Sequence, residues 1–297
     1  MHRQKIAYCY GLATVLLWST VASAFKISLR HLDHLQLLFL ASLFSTATLL
    51  SLLAASGGLG TLQAFTWRQW MTSALYGAMN PFLYYVILFK AYALLPAQEA
   101  QPLNYTWAVT LALLSVPLLG QRLGLKDFAA ILVSYAGVLV ISTHGRLDGL
   151  AFSNPQGVAL ALGSTVIWAL YWILNTRDTR PPVAGLAANF LFGTCYVTIA
   201  TIAFSTPVVT DIRGIAAAAY VGVFEMGVTF VLWLKALKLS DSTAKIGNLI
   251  FISPFLSLVF IHFLVGEDIL PSTISGLGFI MAGIALSQWT PKGTRKR

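Results

Sequence analysis

The sequence predicts an all-α polytopic membrane protein, with ten transmembrane helices arranged as two inverted five-helix repeats around a central cavity. Three observations predict this. Hydrophobic residues make up 57% of the 297 residues and charged residues only 10%, with a mean hydropathy of +0.76. A soluble fold carries about 25% charged residues, so this chain cannot cover a water-facing surface. The apolar residues fall into ten runs, and the second five runs repeat the punctuation of the first five.

The runs lie at 5–27, 34–56, 68–94, 98–119, 126–143, 156–176, 183–205, 214–237, 243–265 and 272–290. Several reach the roughly 20 residues that cross a hydrocarbon core. Helix is the expected form, because lipid offers no partner to a free backbone group. The first run follows "MHRQK" and contains "ASA" (Ala22 to Ala24), which resembles a signal peptide with its cleavage site. The repeat needs this run as a partner, so it is read as the first span. Trp67, Trp70 and Trp289 lie near run ends, where indoles anchor in the membrane interface.

An N-terminus on the inside places fourteen Lys and Arg on that side: Arg3, Lys5, Arg68, Arg122, Lys126, Arg177, Arg180, Lys235, Lys238, Lys245, Lys292, Arg295, Lys296 and Arg297. Five fall outside: Lys26, Arg30, Lys90, Arg146 and Arg213. Both termini are therefore expected in the cytoplasm. The net charge of +9 is spread over short connections and the C-terminal tail, which suits an anionic leaflet and not the basic stripe that nucleic acid requires. Cys9 and Cys195 sit inside apolar runs and read as packing residues.

The repeat is carried by matched segments. "GLATVLLWST" opens the first half and "GVALALGSTVIWAL" the second; "AGVLVIS" parallels "AGIALSQ". Lys90-Ala91 falls on Lys235-Ala236, Asn80 on Glu225, Trp18 on Trp168 and, after a one-residue slip, Gly137 on Gly283. The units are 1–146 and 147–297. Five spans per unit is odd, so the second unit must insert upside down. Inverted repeats build many secondary transporters, whose substrate site lies near the midplane between the repeats.

Polar and aromatic groups within the runs mark the candidate site. In "QPLNYTWAV" (101–109), Gln98, Gln101, Asn104 and Tyr105 fall in a wedge of about 120°, with Trp107 about 60° beyond Asn104. Amides facing lipid are costly, so this wedge faces either a wet cavity or, as interhelical glue, another helix. Glu99 points away from the wedge and is expected to be solvated near the outer end. Trp168, Tyr171, Trp172 and Asn175 share one helical face, which suits ordinary aromatic packing or a cavity for flat side chains.

Glu225 stands mid-run in "YVGVFEMGVTF". An ionised acid there costs at least about 2.5–3.5 kcal/mol against lipid. It is expected to face the cavity, where it meets a substrate ammonium or carries a proton, or else to form a structural pair. Pro81, after Asn80, removes a backbone donor and predicts a kink; Tyr84, one turn on, could share the face of Asn80. Asn248, beside Gly247 in the ninth run, is the remaining cavity candidate; His262 and Lys245 read as interfacial.

No phosphate-binding loop, zinc-helix motif or nucleophile elbow is present, so no enzyme activity, cofactor, metal or catalytic residue is expected. The pattern as a whole resembles the drug/metabolite transporter superfamily with two EamA-type repeats, through "LLWST", the "SP" before "FLSLVF" and the "GED" after it. It departs at Ala108, where Pro254 stands in the second repeat, and at Gln121, where Glu267 stands. "NYTW" (Asn104, Tyr105, Trp107) and "IWALYW" are most similar to the aromatic amino acid exporters of the YddG type. The resemblance implies a multi-pass secondary transporter of a bacterial inner membrane. It would export amino acids, aromatic and apolar ones favoured, by alternating access, as a monomer without nucleic-acid partners. Organic cations or other small metabolites are the alternative cargo.

Overall fold

The computed structural model of the chain describes residues 2–119, 125–146, 152–175, 177–239 and 248–288. Among these every regular element is helical. The α-helices are α1 (His2–Ser28), α2 (His34–Ala55), the short α3 (Leu59–Gln63), α4 (Trp67–Gly77), α5 (Tyr84–Leu94), α6 (Ala97–Tyr105) and α7 (Trp107–Leu119). They continue with α8 (Leu125–Ser142), α9 (Pro155–Asn175), α10 (Pro182–Phe204), α11 (Ile212–Tyr220), α12 (Thr229–Leu239), α13 (Ser253–Phe260) and α14 (Pro271–Gln288). Local chemistry sets several starts. Asp33 and Gln36 form a capping box at α2, Thr66 and Gln69 another at α4, and Asp211 caps α11 through the N–H of Arg213.

Among the described residues, five helices are long and apolar enough to cross a membrane: Arg3–Ser28, His34–Ala55, Pro155–Asn175, Pro182–Phe204 and Ile212–Trp233. Shorter apolar helices cover Phe128–Ser142, Ser253–Val265 and Pro271–Leu286. The third, fourth and ninth runs are broken. The kink expected at Pro81 is a break within Ala78–Leu83, where two helical segments meet across Asn80 at the non-helical φ −145° and ψ 118°. A π-helical turn, Val221–Val228, carries Glu225 at the matching place of the other half. The fourth run breaks at Thr106, between α6 and α7, and the described part of the ninth opens with a 3-10 turn, Asn248–Ile252, ahead of Pro254.

Packing follows the same exchange. Helix α1 lies along α12, and α9 along α5; α2 packs on α10 and on the π turn Val221–Val228, while α10 packs on α4 and on the kink Ala78–Leu83. The most extensive seam joins α8 to α14. There Gly137 abuts the Gly276 carbonyl, and Gly283 abuts Ala130 and Ser134, so α8 and α14 run antiparallel. A Cβ at either glycine would collide with backbone, and a bare hydrogen is what permits this approach.

Two expectations are corrected at the surface. Cys9 and Cys195 are exposed rather than packed, because both lie on outward helix faces. Trp67 is exposed at a helix start, whereas Trp70 packs between Phe65 and Phe192, with ring centroids 5.6 and 6.1 Å away. Trp289, Lys245 and Gln121 lie outside the described residues. His262 is exposed, its Nδ1 3.1 Å from the Glu267 carbonyl. Lys26, Arg30 and Lys90 border one pocket, and Arg213 pairs with Asp211, which also meets His31 at 2.8 Å, at the same end of the molecule. Arg177 and Arg180 reach Leu118 and Gln69 carbonyls at the opposite end.

Candidate functional site

The two halves meet around a cavity of about 110 Å³. An apolar cavity of roughly 150 Å³ accommodates a benzene ring, so the space is on the scale of one small ring or a few waters. Helix α1 contributes Trp18, α5 contributes Tyr84, and α9 contributes Trp168 and Trp172. Gln101, Asn104, Tyr105 and Trp107 line a second side; Glu225 faces in from the π turn. The break at Thr106, whose hydroxyl donates to the Leu103 carbonyl at 2.7 Å, sits between Tyr105 and Trp107, and both line the cavity.

The polar groups form short chains. Tyr84 donates to Asn104 Oδ1 at 3.3 Å, and Asn104 Nδ2 donates to Ser164 Oγ on α9 at 3.0 Å. Asn104 thus lines the cavity and ties two helices at once. Gln101 Oε1 is buried without a partner. Glu225 Oε1 accepts from the Tyr85 hydroxyl at 3.1 Å, with the Trp18 indole alongside, while Oε2 has no partner. Among the described residues no Lys or Arg pairs with this carboxylate. The acid is enclosed by protein yet keeps partial exposure to the cavity. π turns recur at functional sites because they displace side chains from the regular helical stripe.

The rings form one wall. Tyr84 stacks on Trp168 at 4.6 Å and 28°. Trp18 and Trp168 both touch Phe230, at 6.4 and 6.0 Å, and Trp18 also meets Trp233 at 5.5 Å. Offset and edge-on contacts of this kind hold indoles rigidly while leaving faces for a ligand.

Several expected residues lie elsewhere. Gln98 is outside the cavity; its amide donates to the Asp268 carbonyl at 2.8 Å and accepts from Leu270 N and Thr273 Oγ1. The wedge therefore splits, its first turn sewn to the start of α14. Glu99 is fully buried and not solvated: His144 Nε2 and Ser153 Oγ each lie 2.6 Å from its carboxylate, which compensates its burial. Glu267, its neighbour in space, accepts from the N–H groups of Ala97 and Gln98 and so caps α6 from the other half. Asn80 borders neither cavity; it is fully buried, with its amide against the Tyr171 hydroxyl. The side chain of Asn248 lies outside the described residues.

Tyr171 and Asn175 line a separate cavity of about 170 Å³, together with Asp178, Arg180 and Asn189. Trp172 and Trp233 border both spaces. Sequence reasoning missed Tyr85, Leu88, Tyr92, Trp233 and Ile250. One signal was available: Leu88 and Trp233 are counterparts under the Lys90–Lys235 register, and both line the central cavity. Tyr84, Leu88 and Tyr92, four residues apart, form one stripe of α5.

Comparison with known proteins converges on this arrangement. The model of the EamA-like transporter family matches residues 5–143 and again residues 155–289. An uncharacterised transporter of Archaeoglobus fulgidus is 25% identical over 92% of this chain and 94% of its own. The aromatic amino acid exporter YddG of Ancylobacter novellus is 28% identical over 83% of this chain and 84% of its own. One crystal structure superposes with a TM-score of 0.69 at 25% identity, covering 95% of this chain and 96% of that one.

Proposed function

The chain belongs to the EamA-like transporter family and is a multi-pass membrane protein; from that premise we propose that it exports amino acids, aromatic and apolar ones favoured, by alternating access. The observation that carries the reading is Glu225, an acid without a cationic partner among the described residues, facing a cavity walled by Trp18, Trp107, Trp168, Trp172 and Trp233. The carboxylate receives the substrate ammonium, and the indoles take its flat or apolar side chain. Gln101, Asn104 and Tyr105 supply donors and acceptors for the carboxylate end. The similarity to the Ancylobacter exporter supports the aromatic preference.

In this reading the ten runs are ten spans, and the units 1–146 and 147–297 are inverted repeats. The antiparallel α8–α14 seam and the helix irregularities at the matching positions Asn80 and Glu225 support that reading. The split of fourteen Lys and Arg against five, of which Lys26, Arg30, Lys90 and Arg213 gather at one end, supports both termini in the cytoplasm, and the similarity to the Ancylobacter exporter supports a bacterial inner membrane. The protein works as a monomer, without cofactor, nucleic acid or chemical conversion of its cargo.

A lone acid in an aromatic cavity also suits an organic cation, and that is the second reading. Counterflow in proteoliposomes, with a panel of amino acids and aromatic cations, separates them. Amino-acid flux that falls with Trp18→Ala while the variant stays folded in the membrane supports the first. Flux of cations alone, lost on Glu225→Gln, supports the second.

A further inference from the structure

We propose that the cavity at the Asp178–Arg180 end is a second substrate station, which takes the amino-acid zwitterion by exchanging one ion pair for two. The proposal rests on the export reading above and adds a site to it.

The cavity is about 170 Å³, larger than the central one. One buried donor beside it, the Trp172 indole N–H, has no partner, while the Tyr171 hydroxyl lies against the amides of Asn189 and Asn80. An unsatisfied buried donor is costly, and a ligand acceptor would recover that cost. Arg180 is 5% exposed, and every one of its donors is engaged. Nε and one terminal nitrogen hold Asp178 at 2.6–3.0 Å; that terminal nitrogen also meets Asn189 Oδ1 at 3.2 Å, and the other reaches the Gln69 carbonyl at 3.1 Å and Ser73. Arg180 therefore cannot accept a carboxylate in addition to Asp178. It can accept one in its place.

A zwitterion carries both charges needed. Its carboxylate replaces Asp178 on the guanidinium, and its ammonium replaces the guanidinium on Asp178. Both charges are paired before the exchange and again once it is complete. An organic cation could satisfy Asp178 but would strand Arg180, and an uncompensated buried charge is strongly unfavourable. The station thus discriminates where the central cavity, with a lone acid, does not. Gln69, Ser73 and the rings of Phe65 and Tyr76, 5.7 and 5.6 Å from the guanidinium carbon, keep Arg180 seated while its partner changes. Trp172 and Trp233 wall both cavities, so the two stations lie in series.

Gly185 provides the test. It lines this cavity, and a Cβ there meets only the Arg180 side chain, at 3.8 Å. Gly185→Leu fills the station without touching the central cavity. Equilibrium binding of radiolabelled phenylalanine to the purified full-length protein is expected to give two sites per chain. It should give one in Gly185→Leu, and one in Trp18→Ala. In Asp178→Asn the remaining charge is Arg180 alone, so 3-phenylpropionate should gain about tenfold or more over phenylalanine as a competitor. A single wild-type site unaffected by Gly185→Leu, or Asp178→Asn that loses stability with no change of preference, overturns the station and leaves the export reading standing. Absence of any amino-acid binding overturns both.

Discussion

The kink at Asn80 and the π turn at Glu225 occupy matching places in the two halves but hold opposite kinds of side chain. Asn80, in Ala78–Leu83, is fully buried behind Tyr171 and borders neither cavity. Glu225, in Val221–Val228, faces the central cavity with one carboxylate oxygen free. The glycines of the α8–α14 seam behave differently: Gly137 and Gly283 are counterparts, and both press on backbone of the other helix. Symmetry is kept where backbones pack and is broken at this pair of positions, although Trp18 and Trp168, also counterparts, both line the central cavity. The physical reason is that a close backbone crossing has one solution, a missing Cβ, which both halves must adopt. A ligand with unlike ends needs unlike walls.

The equal pair offers the largest expected effect. Gly137→Leu and Gly283→Leu should each destabilise by about 3 kcal/mol or more, through overpacking against rigid backbone. Thermal unfolding in detergent should show similar drops; a drop in only one would break the symmetry of the seam. The unequal pair should split next. Glu225→Gln is expected to lower amino-acid transport about 30-fold, equivalent to losing ~2 kcal/mol of charge-assisted contact. Transport rates in proteoliposomes at matched protein density test this.

Asn80→Leu should sharpen the contrast in the other direction. It removes at similar volume a buried amide whose one neighbour, the Tyr171 hydroxyl, keeps Asn189 beside it, so stability should change by under about 1 kcal/mol, with transport within about twofold of wild type. A loss as large as that of Glu225→Gln would make the two positions functional equals.

The smallest effect lies outside the membrane. The backbone N–H of Arg213, then its guanidinium and His31, hold the Asp211 carboxyl below its usual value against a smaller opposing effect of burial. With the folded value depressed, its stabilisation is present above the unfolded value of about 3.9 and disappears as pH falls through the folded one. Melting temperatures of wild type and Asp211→Asn should therefore differ slightly at neutral pH and converge below about pH 4.

Much of this was legible in the chain before any coordinates. The ratio of apolar to charged residues, the ten runs and the repeated punctuation are local or periodic properties, and lipid leaves helix as the form for such runs. Trp18, Trp168 and Glu225 were legible as cavity residues because an indole pair related by the repeat and a mid-run acid are each hard to place against lipid. Gln98 and Glu99 were misjudged, and Tyr171 and Asn175 fall in a second cavity that the sequence did not distinguish, for one shared reason. Their helical angle is readable, but what stands opposite that angle is not.

The sequence by itself determined the class of protein, the helical runs, the doubling and the residue types that could form a site. Tertiary structure decided which of them meet. The α6–α7 break at Thr106 separates Tyr105 from Trp107, yet both line the cavity. The start of α14 claims Gln98, and His144 with Ser153 claims Glu99. Arg180, one of a charge count in the sequence, is a buried wall of a second cavity in the fold. Composition and periodicity depend on near neighbours along the chain, whereas a cavity is the space between residues that the chain brings together from 150 positions apart, as Trp18 and Trp168 are.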